Sequence, residues 1–113
     1  MTPAQRYLRR LIDYVARCYE MTSSDMLCFT KSPPETYEAR RILYRVANKT
    51  LGLSTCQIAD VIGDSHAGVK YHLTQAEKQM KTSIVFASVV AKVTAHATRE
   101  FRALDIMAAE AAE

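Results

Sequence analysis

The sequence predicts an all-α fold: a small helical domain that carries a helix-turn-helix, plus a long C-terminal helix. Two observations support this. The 113 residues include only three Gly and three Pro, so few turns interrupt the chain. Apolar residues recur every three or four positions through most of its length, which is the spacing of one helix face. The length is that of one domain. Within it we expect residues 1–82 to form the helix-turn-helix domain and residues 83–113 to form the C-terminal helix.

Three helices are predicted before the helix-turn-helix. The first begins at Pro3, with Thr2 as its N-cap, and reaches about residue 19. A short second helix starts at Thr22 or Ser23. The third runs from about Pro34 to Leu51, with a buried stripe of apolar residues.

The stretch from Leu53 to His72 predicts the helix-turn-helix itself. Ser54 is followed three residues later by Gln57, which is the pattern of a capping box. Gly63 follows the short helix where a left-handed backbone is needed, and Ser65 caps the next helix. Such a pair either sets its second helix in the major groove of DNA or forms an ordinary helical corner.

Several positions in the chain resemble the C-terminal DNA-binding domain of the bacterial replication initiator DnaA. The resemblance covers roughly residues 11 to 81. The matching positions are Val15-Ala16, Tyr19, Asp25, Leu27, Ala39-Arg40-Arg41-Ile42 and Ser65-His66-Ala67-Gly68-Val69. The resemblance implies a Trp-repressor-like helix-turn-helix that binds double-stranded DNA. The P-loop pattern of the family's ATPase domain does not occur in this chain, so no nucleotide is expected.

The resemblance also implies which residues would contact DNA. His66 would meet a base edge, and Ser65 would hydrogen-bond a base or a phosphate. Ala67 would face a thymine methyl group, and Gly68 would allow close approach. Further contacts would go to the DNA backbone, from Lys70, Tyr71, Lys31, Arg40, Arg41 and Arg45. The family places a run of Lys and Arg in the loop before the third helix, whereas this chain has only Lys31 there.

The charge of the chain is mildly basic, and the excess lies in its first half. The net charge is +3, with nine Lys and Arg against five Asp and Glu in residues 1–50. This bias fits either phosphate contacts or a solvated helix face. The three Cys lack a CxxC spacing, the three His are scattered, and no catalytic motif appears. We therefore expect no enzyme activity, metal or cofactor.

No signal peptide and no apolar run of membrane-spanning length is visible in the sequence. These two observations predict a cytoplasmic protein with no membrane partner.

From Val69 the helical pattern continues without Pro or Gly to the end of the chain. A broad apolar stripe follows helical spacing here: Phe86, Val89-Val90, Val93, Ala97, Phe101 and Leu104. Its spacing is close to a heptad seam and predicts a homodimer through the C-terminal helix. The alternative is that the helix folds back on its own domain.

Two functions from different classes follow. The first is a sequence-specific double-stranded DNA-binding protein in replication or transcription control, encoded by a host, a phage or a mobile element. The alternative is a protein-interaction module that uses the same fold with little or no DNA binding. The loop before the third helix, which has only one basic residue, and the apolar stripe of the C-terminal helix favour this alternative.

Overall fold

The structure is a computed structural model that describes residues 2–29 and 34–112, with side chains described as far as Leu104. It contains six helices within those ranges. Their bounds are α1 Pro3–Cys18, α2 Ser23–Met26, α3 Pro34–Lys49, α4 Thr55–Ile62, α5 His66–Thr82 and α6 Ile84–Ala112. The described residues form no strand, so the predicted all-α class is confirmed.

Local capping chemistry sets where the first helices begin. The Thr2 hydroxyl accepts the Gln5 backbone N–H at 3.1 Å, and the Gln5 side chain accepts the Thr2 backbone N–H at 2.9 Å. This capping box satisfies two donors that the first turn of a helix leaves open. Thr22 caps α2 in a similar way, through the backbone N–H of Asp25.

The helix-turn-helix forms as the sequence predicts. Ser54 and Gln57 make the expected capping box at the start of α4. Gly63 ends that helix with φ of 86°, a left-handed value that side-chain-bearing residues seldom adopt. The Ser65 hydroxyl then accepts the Gly68 backbone N–H at 2.9 Å and starts α5.

The core is one continuous apolar cluster around α3, which contacts each of the other five helices. α3 itself buries Ile42, Leu43, Tyr44 and Val46, all at most 1% exposed. Ile58, Ile62 and Val69 anchor the helix-turn-helix to this cluster. The position of α5 is therefore fixed by packing against α3 and α4.

The helical pattern that runs from Val69 to the chain end is divided into two helices, α5 and α6. The backbone becomes extended at Ser83, with φ of −130° and ψ of 111°, and this residue separates α5 from α6. The Ser83 hydroxyl accepts the Phe86 backbone N–H at 3.1 Å, so it caps the new helix. The break lets α6 turn back and contact α1, α3 and α5.

The apolar stripe of α6 is covered within the same chain. Phe86, Val90, Val93 and Ala97 belong to the single core, and Val89, Phe101 and Leu104 pack against it. A homodimer formed through this stripe, as its heptad-like spacing predicts, therefore does not fit the structure. The folded-back alternative describes the structure, because a dimer through this stripe would require α6 to leave the core.

Candidate nucleic-acid interface

The first turns of α5 present a polar surface to solvent. Ser65, His66, Ala67, Lys70 and Tyr71 are all exposed, as the helix-turn-helix prediction requires. They follow the Gly63 turn directly and lie opposite the buried side of α5, which contains Val69, His72 and Ala76. Exposed polar side chains at the start of the second helix are what recognition of a DNA groove would require.

The His66 ring lies beside a side chain of the preceding helix. Its Nδ1 lies 3.7 Å from the Sγ of Cys56 on α4, and both residues are exposed. The Nδ1 atom thus faces the protein, which leaves Nε2 as the ring nitrogen available to a base edge. Cys56 was not recognised from the sequence as a neighbour of His66, because only the fold brings α4 and α5 together.

Gly68 makes room for a side chain of the protein rather than for DNA. A Cβ atom at this position would lie 2.5 Å from Oδ1 of Asp64. That carboxylate accepts the Ser65 backbone N–H at 2.8 Å and the Tyr44 hydroxyl at 3.0 Å. Burial first, and then the adjacent Asp64 carboxylate, raises the pKa of Tyr44, so the phenol stays a hydrogen-bond donor. Asp64 therefore links the start of α5 to α3.

Arg40 was expected to contact phosphate, and the structure shows that this is wrong. Its side chain is only 2% exposed. The guanidinium donates to the carbonyl oxygens of Met26 and Cys28, each at 3.0 Å. It also lies 5.0 Å from the ring centroid of Phe29 and 5.1 Å from that of Tyr37. Arg40 thus ties α3 to the segment after α2 and is not available to DNA.

Arg41 is also engaged inside the molecule. It donates to Oε1 of Gln79 on α5 at 3.1 Å. The amide of Gln79 donates in turn to Glu38 at 2.7 Å, and the other oxygen of Glu38 accepts the Tyr19 hydroxyl at 2.7 Å. This network uses the Arg41 side chain to link α3 to α5, and the expected phosphate contact of Arg41 stays a prediction.

Arg45 forms an ion pair with Glu77 of α5 and is half-buried. This ion pair partly neutralises the charge of Arg45 and competes with the expected phosphate contact, which stays a prediction. Lys31, the remaining predicted rim residue, lies outside the described residues.

Two exposed lysines on α5 were not singled out from the sequence. Lys78 and Lys81 are exposed and share the outer face of α5 with Lys70, since the three recur at near-helical spacing. The helical register after Val69 could have identified them. The exposed arginines of α1 sit on a helix that does not contact α5 within the described ranges.

His72 occupies the centre of an aromatic cluster at the side of α5. Its ring centroid lies 5.9 Å from that of Tyr37, 5.8 Å from that of Tyr44 and 5.3 Å from that of Tyr71. Burial lowers the pKa of His72, and the positive charges of Arg40 and Arg41 lower it further. The imidazole is therefore neutral near neutral pH and serves as packing rather than as a phosphate contact.

The described residues contain neither a membrane-spanning helix nor a cluster suited to a metal ion. None of the described helices is long and apolar enough to cross a membrane. No group of three or more His, Cys, Asp or Glu side chains in the described part of the chain is arranged to hold a metal ion.

Comparison with known proteins gives a structural neighbour. No protein-family model matches the chain, and no curated protein matches it. The chain is similar to a crystal structure of a DNA replication initiation factor, with a TM-score of 0.76 and 22% sequence identity. The match covers 88% of this chain and 30% of that one. At this identity the likeness shows the fold alone.

This neighbour agrees, at the level of fold, with the resemblance to a bacterial replication initiator. The correspondence with the C-terminal domain of that family stays a prediction. This chain spans less than a third of the length of the similar structure.

Proposed function

We propose that this protein binds double-stranded DNA sequence-specifically, with the first turns of α5 in the major groove. The observation that carries the proposal is the exposed row Ser65, His66, Ala67, Lys70 and Tyr71 at the start of α5. This helix follows a capped short helix and a left-handed glycine turn, which is the arrangement of a recognition helix. The fold shared with a DNA replication initiation factor supports a role in replication or transcription control.

The residues of this surface divide into two kinds of contact. His66 can offer Nε2 to a base edge, and Ser65 and Ala67 lie beside it at the helix start. Lys70, Lys78 and Lys81 can meet phosphates along the groove wall. Because Arg40, Arg41 and Arg45 are engaged within the protein, the phosphate contacts are few and the affinity should be modest.

Binding to duplex DNA should weaken with salt according to this small number of contacts. With about three phosphates neutralised, the logarithm of the binding constant should fall with a slope of about −3 against the logarithm of salt concentration. Glu77→Gln should release Arg45 and make the slope steeper by about one. Fluorescence anisotropy of a labelled duplex, over a series of salt concentrations, measures both values. A wild-type protein that binds no duplex at low salt would contradict the proposal.

His66→Ala and Lys70→Ala should affect binding differently. Losing the base contact of His66 should cost about 1–3 kcal/mol and relax the sequence preference at one position. Losing Lys70 should weaken binding to all duplexes by a similar factor. A selection from random duplexes, followed by titration of the enriched and a scrambled site, separates the two effects.

Lys92→Ala is the matched control for Lys70→Ala, because Lys92 is an exposed lysine on α6, a helix that contributes no residue to the candidate interface. Its binding curves should coincide with those of the wild type. Equal losses on removing Lys70 and Lys92 would mean that α5 is not the DNA-binding helix.

A second candidate function is a protein-interaction module with little DNA binding. It is favoured by Ile84 and Val85, which are the most exposed large apolar side chains of the described residues. The selection from random duplexes decides between the two, since an interaction module should enrich no duplex sequence.

A further inference from the structure

Three exposed aromatic side chains lie near one another, one on α5, one on α3 and one in the segment after α2. Phe29, Tyr37 and Tyr71 are 42%, 39% and 57% exposed. The other described Phe and Tyr side chains are buried or half-buried. The exposed rings are thus gathered on one side of the molecule, which we call the aromatic row.

Two residues beneath the surface connect the rings of the aromatic row. The Arg40 guanidinium carbon lies 5.0 Å from the Phe29 ring centroid and 5.1 Å from that of Tyr37. The His72 ring continues the row, at 5.9 Å from Tyr37 and 5.3 Å from Tyr71. Both connecting side chains are buried, so they support the exposed rings from inside the protein.

The charges around the aromatic row favour an anionic strand. Lys70 precedes Tyr71 on α5 and is exposed, so it can meet a phosphate beside the rings. Arg40 is buried beneath Phe29 and Tyr37 and adds positive charge there without contacting the strand itself. Two carboxylates nearby are already used within the protein: Glu38 accepts from Tyr19 and Gln79, and Asp64 accepts from Tyr44. Exposed rings beside such cations suit the flat bases and phosphates of a single strand.

We propose that the aromatic row binds single-stranded DNA by stacking unpaired bases on Tyr37, Tyr71 and Phe29, with Lys70 meeting the backbone. This activity goes beyond duplex recognition, because it uses π-faces and reads no base edge. The two activities share only Lys70 and Tyr71, at the point where the aromatic row adjoins the start of α5. The row would therefore hold a strand that has separated from a duplex bound at the same helix.

Binding of a labelled single strand of about 12 nucleotides tests the proposal. The comparison is an abasic strand of the same length, which keeps the phosphates but has no bases to stack. We expect the base-containing strand to bind at least about tenfold more tightly, since each base stacked on a ring is worth about a factor of ten or more. Equal binding of the two strands, or no binding at low salt, would overturn the proposal.

Substitutions at Tyr37 test whether its aromatic ring contributes to single-strand binding. Tyr37→Leu keeps an apolar side chain but removes the ring, and should weaken single-strand binding by about tenfold. Tyr37→Phe keeps the ring and should bind like the wild type. The chain has no tryptophan, so quenching of tyrosine emission by stacked bases is measurable, and Tyr37→Phe should reduce that quenching while the affinity stays the same.

Two further measurements separate this inference from the proposed duplex function. Tyr37→Leu should leave duplex affinity within about twofold of wild type, because Tyr37 lies outside the duplex surface, and its circular dichroism should be unchanged. Tyr71→Leu, which alters a mostly exposed ring, should reproduce the single-strand loss. If both leucine variants bind single strands like the wild type, the aromatic row is not the site, whatever the duplex results are.

Discussion

A chain that ends at Ser83, and so lacks α6, is expected not to fold. α6 contributes Phe86, Val90, Val93 and Ala97 to the core, all at most 4% exposed. Fully burying each of the three larger side chains is worth about 1.5–3 kcal/mol, or roughly 5–9 kcal/mol together. A small domain is stable by only about 5–15 kcal/mol. The truncation also uncovers apolar surface on α1, α3 and α5, so circular dichroism should show no cooperative thermal transition.

A chain that ends at Leu104 is the matched control for this truncation. It keeps the buried residues of α6, the stacking of His96 on Tyr14 at 3.6 Å, and the contact of Phe101 with Tyr7. It should unfold cooperatively, like the full chain. A chain ending at Ser83 that retained a sharp transition would mean that α6 is an accessory element, as the predicted division at residue 83 implies.

The point variants Val93→Asp and Lys92→Asp make the same test without truncation. Val93 is fully buried, whereas its neighbour Lys92 is exposed. A carboxylate in place of Val93 must be desolvated or must force α6 away from the core, so this variant should not fold. The variant at Lys92 should change the free energy of unfolding by less than about 0.5 kcal/mol.

Helix ends around the helix-turn-helix were predictable because short-range chemistry fixes them. Ser54, Gln57 and Ser65 bond backbone groups no more than three residues away, and Gly63 supplies a left-handed turn by itself. Such signals need no information about the rest of the fold. The break at Ser83 follows the same capping chemistry, but a serine inside a helical pattern does not reveal whether the chain turns there.

The role of a charged or apolar face was harder to predict than its existence. Spacing identified the stripe of α6, but the surface that covers it depends on the turn at Ser83. Composition identified Arg40, Arg41 and Arg45 as basic, but it does not tell whether a guanidinium points into solvent or toward a carbonyl. The predicted residues at the start of α5 are therefore exposed as expected, whereas the three predicted arginines of α3 make contacts within the protein.

Arg40→Met is expected to destabilise the protein strongly without acting as a DNA-contact mutation. Methionine has a similar length but donates no hydrogen bond, so the carbonyls of Met26 and Cys28 lose the donor that now lies 3.0 Å from each. Leaving a buried acceptor unsatisfied costs about 1–3 kcal/mol, and the lost contacts with the Phe29 and Tyr37 rings add to this. We expect the free energy of unfolding to fall by about 3–5 kcal/mol.

Urea denaturation followed by circular dichroism measures this loss, and two other substitutions calibrate it. Arg10→Met alters an exposed residue of α1 and should change stability by less than about 0.5 kcal/mol. Arg40→Lys keeps the charge but not the planar fork that reaches two carbonyls, so it should recover only part of the loss.

The salt dependence of duplex binding distinguishes a structural role of Arg40 from a phosphate-contacting one. A phosphate-contacting arginine would lower the slope by about one on removal and leave stability nearly unchanged. The buried position of Arg40 predicts the reverse: at a temperature where the variant is still folded, the slope should equal that of the wild type.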